Sequence, residues 1–195
     1  PVLDEQGELV CTTPFPSMPT HFLNDPNRAK YKAAYFERFP GVWAHGDFCV
    51  ISKATGGVVM LGRSDATLNR GGVRIGTADI YAVVERFEEF TDCIVAGQSI
   101  PKEDDESILL FVKMAEGKKL DDALKKKVNG LIRTMMSPRH VPNAIHSVED
   151  IPYTNSGKKV EIAVKDIING GAVRKASSLR NPDSLDLYKQ FALSS

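Results

Sequence analysis

Residues 61–76, LGRSDATLNRGGVRIG, constrain the fold more than any other stretch, because the chain changes character inside them. An apolar, strand-like run, Gly57-Val58-Val59-Met60-Leu61, leads in. A strongly amphipathic helix over 77–90 leads out, with Ile80, Val83, Val84 and Phe87 at i, i+3, i+4 and i+7 behind a Thr77 N-cap. Between them lie arginines, a turn-like Asp65 and the adjacent pair Gly71-Gly72, where a backbone can approach a ligand with no Cβ in the way. Two local readings follow. The stretch is a hinge or hairpin between two packed units, or it is a loop that meets a phosphate or a sugar.

Upstream, the elements are few. Residues 7–11 read as a strand, and 13–19, TPFPSMP, as a loop that proline keeps out of any sheet interior. A helix is expected over 27–39, capped by Asn27 or Asp25, with Tyr31, Tyr35 and Phe39 along one face. Residues 43–51 enter a strand through a turn, 53–57 reverse the chain, and 58–61 return as the second arm of a hairpin. So short a set cannot bury a core alone, which predicts packing on material outside this sequence.

Downstream, 67–69 and 73–75 form a small hairpin turning at 70–72. After the first helix come strands at 93–96 and 108–114, flanking an acidic loop, 103–106, expected to be merely solvated. A second helix over 120–136 carries the stripe Leu124, Val128, Leu131, Met135, with Lys125, Lys126 and Lys127 on its wet side. A strand at 145–148, a polar loop at 151–159 and a third helix over 160–169, stopped by Gly170-Gly171, complete the set. Helix, strand, strand, helix, strand, helix is an α+β domain. Residues 173–195 have weak periodicity and are expected to be a partly ordered tail.

Charge narrows the function. Lys+Arg and Asp+Glu are both 25 in 195 residues, so a nucleic-acid or membrane-surface role has no electrostatic support. No apolar run approaches a membrane span. Cys11, Cys49 and Cys93 are isolated, without Cys-x-x-Cys spacing or paired histidines; this argues against a zinc site or disulfide framework and for a reducing compartment, the cytosol. The sequence begins Pro-Val-Leu-Asp without methionine, which suggests a piece of something longer.

Single residues stay two-sided when read locally. In Ile151-Pro152-Tyr153-Thr154-Asn155-Ser156-Gly157-Lys158-Lys159, Pro152 rules out a Walker A loop. The stretch is either an exposed turn with solvated lysines or a tight bend that aims Lys158 at a reacting oxyanion. Asp47 is a strand-entry residue or an acceptor for two sugar hydroxyls. Arg63 makes a ribose or phosphate contact, or a surface ion pair with Asp65. Arg133, in a last helical turn, complements the helix C-terminus. His45 and His140 read as local hydrogen-bonding residues, not metal ligands.

Four stretches occur in one order: Gly7-Glu8-Leu9-Val10; Trp43-Ala44-His45-Gly46-Asp47; Gly62-Arg63-Ser64-Asp65 with Gly72-Val73-Arg74; and Pro152-Tyr153-Thr154-Asn155-Ser156-Gly157-Lys158. Together they resemble the C-terminal part of the adenylate-forming acyl-CoA synthetases. Within that family, Ser137-Pro138-Arg139-His140-Val141-Pro142 and Asn181-Pro182-Asp183-Ser184-Leu185-Asp186 resemble the acetoacetate-activating branch. The resemblance implies that residues 1–64 are the end of a large adenylation domain, 65–172 a mobile lid and 173–195 a tail. It implies ATP, CoA and ATP-borne Mg2+ as cofactors, acetoacetate as substrate and a missing N-terminal domain as partner. Asp47 would hold the ribose, with Arg63 beside it and Arg74 near the phosphate. Asp65 would be the hinge, Lys158 the catalytic cation of adenylation, Gly72 a lining of the pantetheine tunnel and Arg133 a contact for the CoA nucleotide. His45 stands where many relatives have threonine, and Asp79 where glutamate is usual. No Ser/Thr/Gly-rich phosphate loop is present, so the chain alone is expected to be inactive in adenylation. The alternatives are another short-chain acyl-CoA synthetase and a non-catalytic, lid-like binding module.

Overall fold

The computed structural model describes residues 1–103, 105–173 and 178–193. The chain divides into two compact units, Pro1–Asp65 and Ala66–Ser195.

The first unit is a three-stranded antiparallel sheet, β1 (Gln6–Cys11), β2 (Trp43–Ile51) and β3 (Val58–Arg63), with β2 central, plus helix α1 (Ala29–Tyr35). The helix is shorter than the sequence pattern suggested. Arg28 sits in the left-handed region, with φ 55°, and blocks extension toward Asn27. Asp25 does the capping: its carboxylate accepts from the amides of Lys30, at 3.1 Å, and Tyr31, at 2.9 Å. The expected aromatic face exists in part. Tyr35 stacks on Trp43 at 3.7 Å between ring centroids, and Phe15, Tyr31 and Phe36 surround that indole. The core is thin, made of Tyr31, Trp43, Ala44, Phe48 and Cys49, and edge strand β3 leaves Val58, Val59 and Met60 exposed.

The second unit opens with a two-stranded hairpin, β4 (Leu68–Arg70) and β5 (Val73–Ile75), followed by α2 (Thr77–Val84). A three-stranded sheet follows: β6 (Phe90–Ser99) antiparallel to β7 (Glu106–Met114), which runs parallel to β8 (Ala144–Ser147). Helix α3 (Asp122–Met135) precedes β8, and α4 (Glu161–Ile168) follows it. Strand side chains alternate between faces, and here both faces are covered. Cys93, Val95, Leu110 and Val112 meet α2 and α3 through Ile80, Val84, Val128 and Ile132. Ile94, Ala96 and Phe111 meet Val164 and Ile168 of α4, with Leu185 and Tyr188.

Three expectations shift. Gly76, not Thr77, is the N-cap of α2, and Thr77 is buried. Asp121 caps α3 by accepting from the Leu124 amide at 2.7 Å, and Ile132, not Met135, completes the buried stripe. The expected loose tail packs instead: Pro182–Phe191 winds as 3-10 turns that bury Leu185 and Tyr188 three residues apart. No helix among the described residues is long and apolar enough to cross a membrane.

Candidate functional site

In the first unit the candidate residues gather where the sheet ladder is irregular. Two steps along β1, from Glu8 to Val10, oppose four along β2, from Phe48 to Ala44. The excess pushes His45-Gly46-Asp47 out of register, and Gly46 adopts φ 85°. A bulge of this kind re-aims side chains, and here it sets Asp47 opposite Arg63 of β3. The Asp47 carboxylate takes a contact from His45 Nδ1, so His45 is the local hydrogen-bonding residue that the sequence suggested. Arg63 faces Asp65: its Nε and Nη2 donate to the two Asp65 oxygens at 3.0 and 2.6 Å. The guanidinium also lies against Gly46, where a Cβ would approach it to 3.4 Å. Glu8 supports the turn from below. It accepts from Ser64 Oγ at 2.9 Å and from Arg38 at 2.7 Å. Asp65 is the last residue of this unit.

In the second unit, Gly72 closes the turn of the β4–β5 hairpin with φ 73° and open space where a Cβ would be. Arg74, on β5, is exposed and is not free of partners. The acidic loop is not merely solvated. Asp104 lies outside the described residues, but Asp105 Oδ1 accepts from the amides of Gly71, at 2.7 Å, and Glu106, at 2.8 Å. Those two amides hold the Asp105 carboxyl below the usual carboxylate range. Glu106 accepts from the Asn69 amide at 2.9 Å and pairs with Lys165 at 2.6 Å. Arg70 donates to the carbonyls of Arg139 and Val141. The glycine turn is therefore clamped from three sides.

The 151–159 loop is a tight hairpin. The Thr154 amide donates to the Lys158 carbonyl at 2.8 Å, the Lys158 amide to Thr154 Oγ1 at 3.0 Å, and Tyr153 bridges Lys159. Gly157 takes φ 81°, which the bend requires. Lys158 is exposed at the end of this hairpin, and its ammonium has no hydrogen bond or ion pair with a described residue. Its neighbour is the opposite. Lys159 Nζ lies 3.0 Å from both Glu85 and Asp92 and 4.4 Å from the Tyr81 ring centroid. Burial alone would lower the pKa of that ammonium, but Cys93, Asp92 and Glu85 outweigh burial and raise it. Burial pushes the Cys93 thiol up to about 12. Thus one lysine anchors the loop and the other is presented. Arg133 stands exposed in the last turn of α3. His140 accepts or donates at Ser137 Oγ, 2.8 Å away, and faces Asp79 at 3.6 Å.

The structure thus groups Asp47, Arg63 and Asp65 in one unit, and carries Gly72, Arg74, Arg133 and Lys158 on separate elements of the other. Glu8, Asp105, Glu106 and Lys159 had no local signal, since each acts on a partner far away in sequence. The described residues contain no cluster of three or more His, Cys, Asp or Glu that could hold a metal ion.

Residues 80–158 match the family described as AMP-binding enzyme C-terminal domain. An acetoacetyl-CoA synthetase of Caenorhabditis elegans is 62% identical over 190 residues, which are 97% of this chain and 27% of that protein. One from Danio rerio is 54% identical, over 97% of this chain and 28% of the relative. Among solved structures, an acetoacetyl-CoA synthetase from Streptomyces lividans superposes with a TM-score of 0.87 at 43% identity, covering 97% of this chain and 28% of that one. The chain spans little more than a quarter of the length of the relatives it matches.

Proposed function

We propose, from the premise that this chain belongs to the adenylate-forming acyl-CoA synthetases and corresponds to the C-terminal portion of an acetoacetyl-CoA synthetase, that it supplies the mobile lid of an acid–thiol ligase. The whole enzyme joins acetoacetate to CoA. ATP and acetoacetate give acetoacetyl-adenylate and pyrophosphate; the CoA thiol then displaces AMP and forms the thioester. Lys158 acts in the first step. Its ammonium donates to the acetoacetate carboxylate and an α-phosphate oxygen, stabilising charge that grows as the new bond forms. Asp47 accepts from the ribose hydroxyls, with Arg63 beside it and Arg74 toward the phosphate. Asp65 is the pivot between the half-reactions. Gly72 serves the second one, where a side chain would obstruct pantetheine, and Arg133 meets the CoA nucleotide. Magnesium would accompany ATP and neutralise phosphate charge together with Lys158. The three free thiols suit a cytosolic setting.

What carries this reading is the pairing of two neighbours: an exposed Lys158, its ammonium unpartnered among the described residues, on a loop pinned by a paired Lys159. A loop fixed in this way delivers a cation instead of merely solvating one. The similarity of 50 to 62% identity to acetoacetyl-CoA synthetases supports acetoacetate as the acyl group. The test is a hybrid polypeptide in which this chain follows the N-terminal portion of the Caenorhabditis elegans relative. Acetoacetate should drive pyrophosphate release by the hybrid and not by the 195-residue chain alone. Turnover by the isolated chain, or undiminished release by a Lys158→Ala hybrid, would overturn the assignment.

A further inference from the structure

Residues 178–191 lie beyond the 80–158 span of the domain family, and nothing in the adenylation chemistry above uses them. Yet their first residues are built into the Lys158 hairpin. Leu179 bridges Thr154 in antiparallel fashion. The Arg180 amide donates to the Tyr153 carbonyl at 2.8 Å, and the Asn155 amide to the Ser178 carbonyl at 3.4 Å. The Arg180 guanidinium lies 5.1 Å from the Tyr153 ring centroid. Asn181 closes the join: its Oδ1 accepts from the Tyr153 amide at 2.9 Å, while Nδ2 donates to the Ile151 carbonyl at 2.8 Å and to Asp150 Oδ2. Asp150 is held in turn by Lys113 of β7 at 2.8 Å. Behind this join, Leu185 and Tyr188 are buried in the sheet core, and the Tyr188 hydroxyl donates to the Asp150 carbonyl at 3.1 Å.

A two-stranded hairpin is marginal on its own and gains rigidity from a third strand and a packed face. The Tyr153–Lys159 hairpin receives both from one segment: 178–181 adds a third edge through the Thr154–Leu179 bridge and two backbone bonds, and Leu185 with Tyr188 roots it in the core. Lys159 pins the opposite arm. We propose that residues 178–191 are a strut that sets the aim of Lys158, with Asn181 as its positioning residue. This rests on the reading of Lys158 as the adenylation cation. Asn181 touches no reacting atom; it fixes the arm from which Lys158 projects, so its loss should weaken the half-reaction that Lys158 serves and spare the other.

Truncation before residue 178 would uncover the core around Tyr188 and is a poor test, so the variant is Asn181→Ala. Two measurements separate the questions. In the 195-residue chain, amide hydrogen exchange should speed up at Tyr153 and Lys158 by on the order of ten-fold or more, with β7 amides unchanged, because the Tyr153 amide loses its acceptor and the hairpin its brace. In the hybrid polypeptide, acetoacetate-dependent pyrophosphate release should fall in kcat on the order of ten-fold, since small misplacement of a charged group is costly. Thioester formation from supplied acetoacetyl-adenylate should stay within about two-fold. Unchanged exchange at Tyr153 and Lys158 overturns the strut, as does equal loss of both half-reactions. If Lys158→Ala leaves adenylation intact while Asn181→Ala still speeds exchange, the catalytic reading fails and the strut survives as architecture.

Discussion

Adjacent lysines offer a sharp perturbation, because the structure gives them opposite environments. Take Lys158→Met and Lys159→Met, which keep length and remove charge. The Lys159 side chain is 19% exposed and serves two carboxylates at 3.0 Å. Glu85 is 58% exposed and rehydrates when abandoned, so its share is about 0–1 kcal/mol. Asp92 is 19% exposed and keeps one hydrogen bond, from the Cys93 amide at 2.8 Å. Stranding it is milder than stranding a fully buried charge and costs about 1–2 kcal/mol. The lost contact with the Tyr81 ring adds about 0.5 kcal/mol. Together these give about 1.5–3.5 kcal/mol, or roughly 4–18 °C in the melting temperature of a unit of this size. Among the described residues the Lys158 ammonium has no hydrogen bond or ion pair, so its replacement should stay within about 0.5 kcal/mol. Thermal melts of the two variants of the 195-residue chain, followed by circular dichroism, measure the contrast. Pyrophosphate release in the hybrid supplies the other axis: Lys158→Met should abolish it without touching stability. A Lys159→Met melt within about 2 °C of the parent, or an equal fall for both variants, would refute the division into anchor and presented cation.

Three further outcomes follow from neighbouring geometry. A Cβ added at Gly72 meets no heavy atom within 4 Å, but Gly72→Leu forces a side chain to φ 73°, at a cost of about 1–2 kcal/mol; in the hybrid, adenylation should persist while transfer to CoA drops. The Asp105 carboxyl is depressed in the folded chain, so its clamp on Gly71 is fully present above the ordinary value of 3.8 and is lost as pH falls through the lower folded value. Gly71 amide protection, the observed exchange set against the intrinsic rate at each pH, should therefore hold steady down to about pH 4 and fall below it, and Asp105→Asn should erase that step while keeping the oxygen acceptor. Tyr188→Phe removes one buried hydroxyl bond to the Asp150 carbonyl and should cost about 1 kcal/mol, read as a shift of the urea midpoint, whereas Tyr188→Ala empties a core site and should cost about 3–5 kcal/mol.

Much of the second unit was legible because its signals are periodic. The α2 and α3 stripes and the apolar runs of β6 and β7 state their own element type, and their order alone gives an α+β sheet with helices on it. Boundaries were less legible. Helix α1 is cut short by the left-handed backbone at Arg28, a conformation that arginine rarely adopts and that sequence does not announce. The tail was illegible for a different reason. Leu185 and Tyr188 are three residues apart, a spacing too brief to register as a stripe, and the worth of Asn181 lies wholly in partners some 30 positions away.

The same logic separates residues that present chemistry from residues that place it. On the proposed function Asp47, Gly72 and Lys158 meet ligands, and they sit in short motifs, since a ligand demands particular groups at close spacing. Glu8, Asp105, Lys159 and Asn181 answer to partners within the fold. Each satisfies a backbone amide, a hydroxyl or a charge elsewhere in the fold, so topology, not spacing, fixes where it must be. A loop that offers Lys158 to solvent, unpaired among the described residues, gains nothing in stability from doing so. Its rigidity must come from the ground beneath it, and here that ground is an ion-paired lysine on one arm and a bridged segment on the other. If the 151–159 turn were only a solvated reversal, that investment in Asn181, Asp150 and Tyr188 would have nothing to hold still.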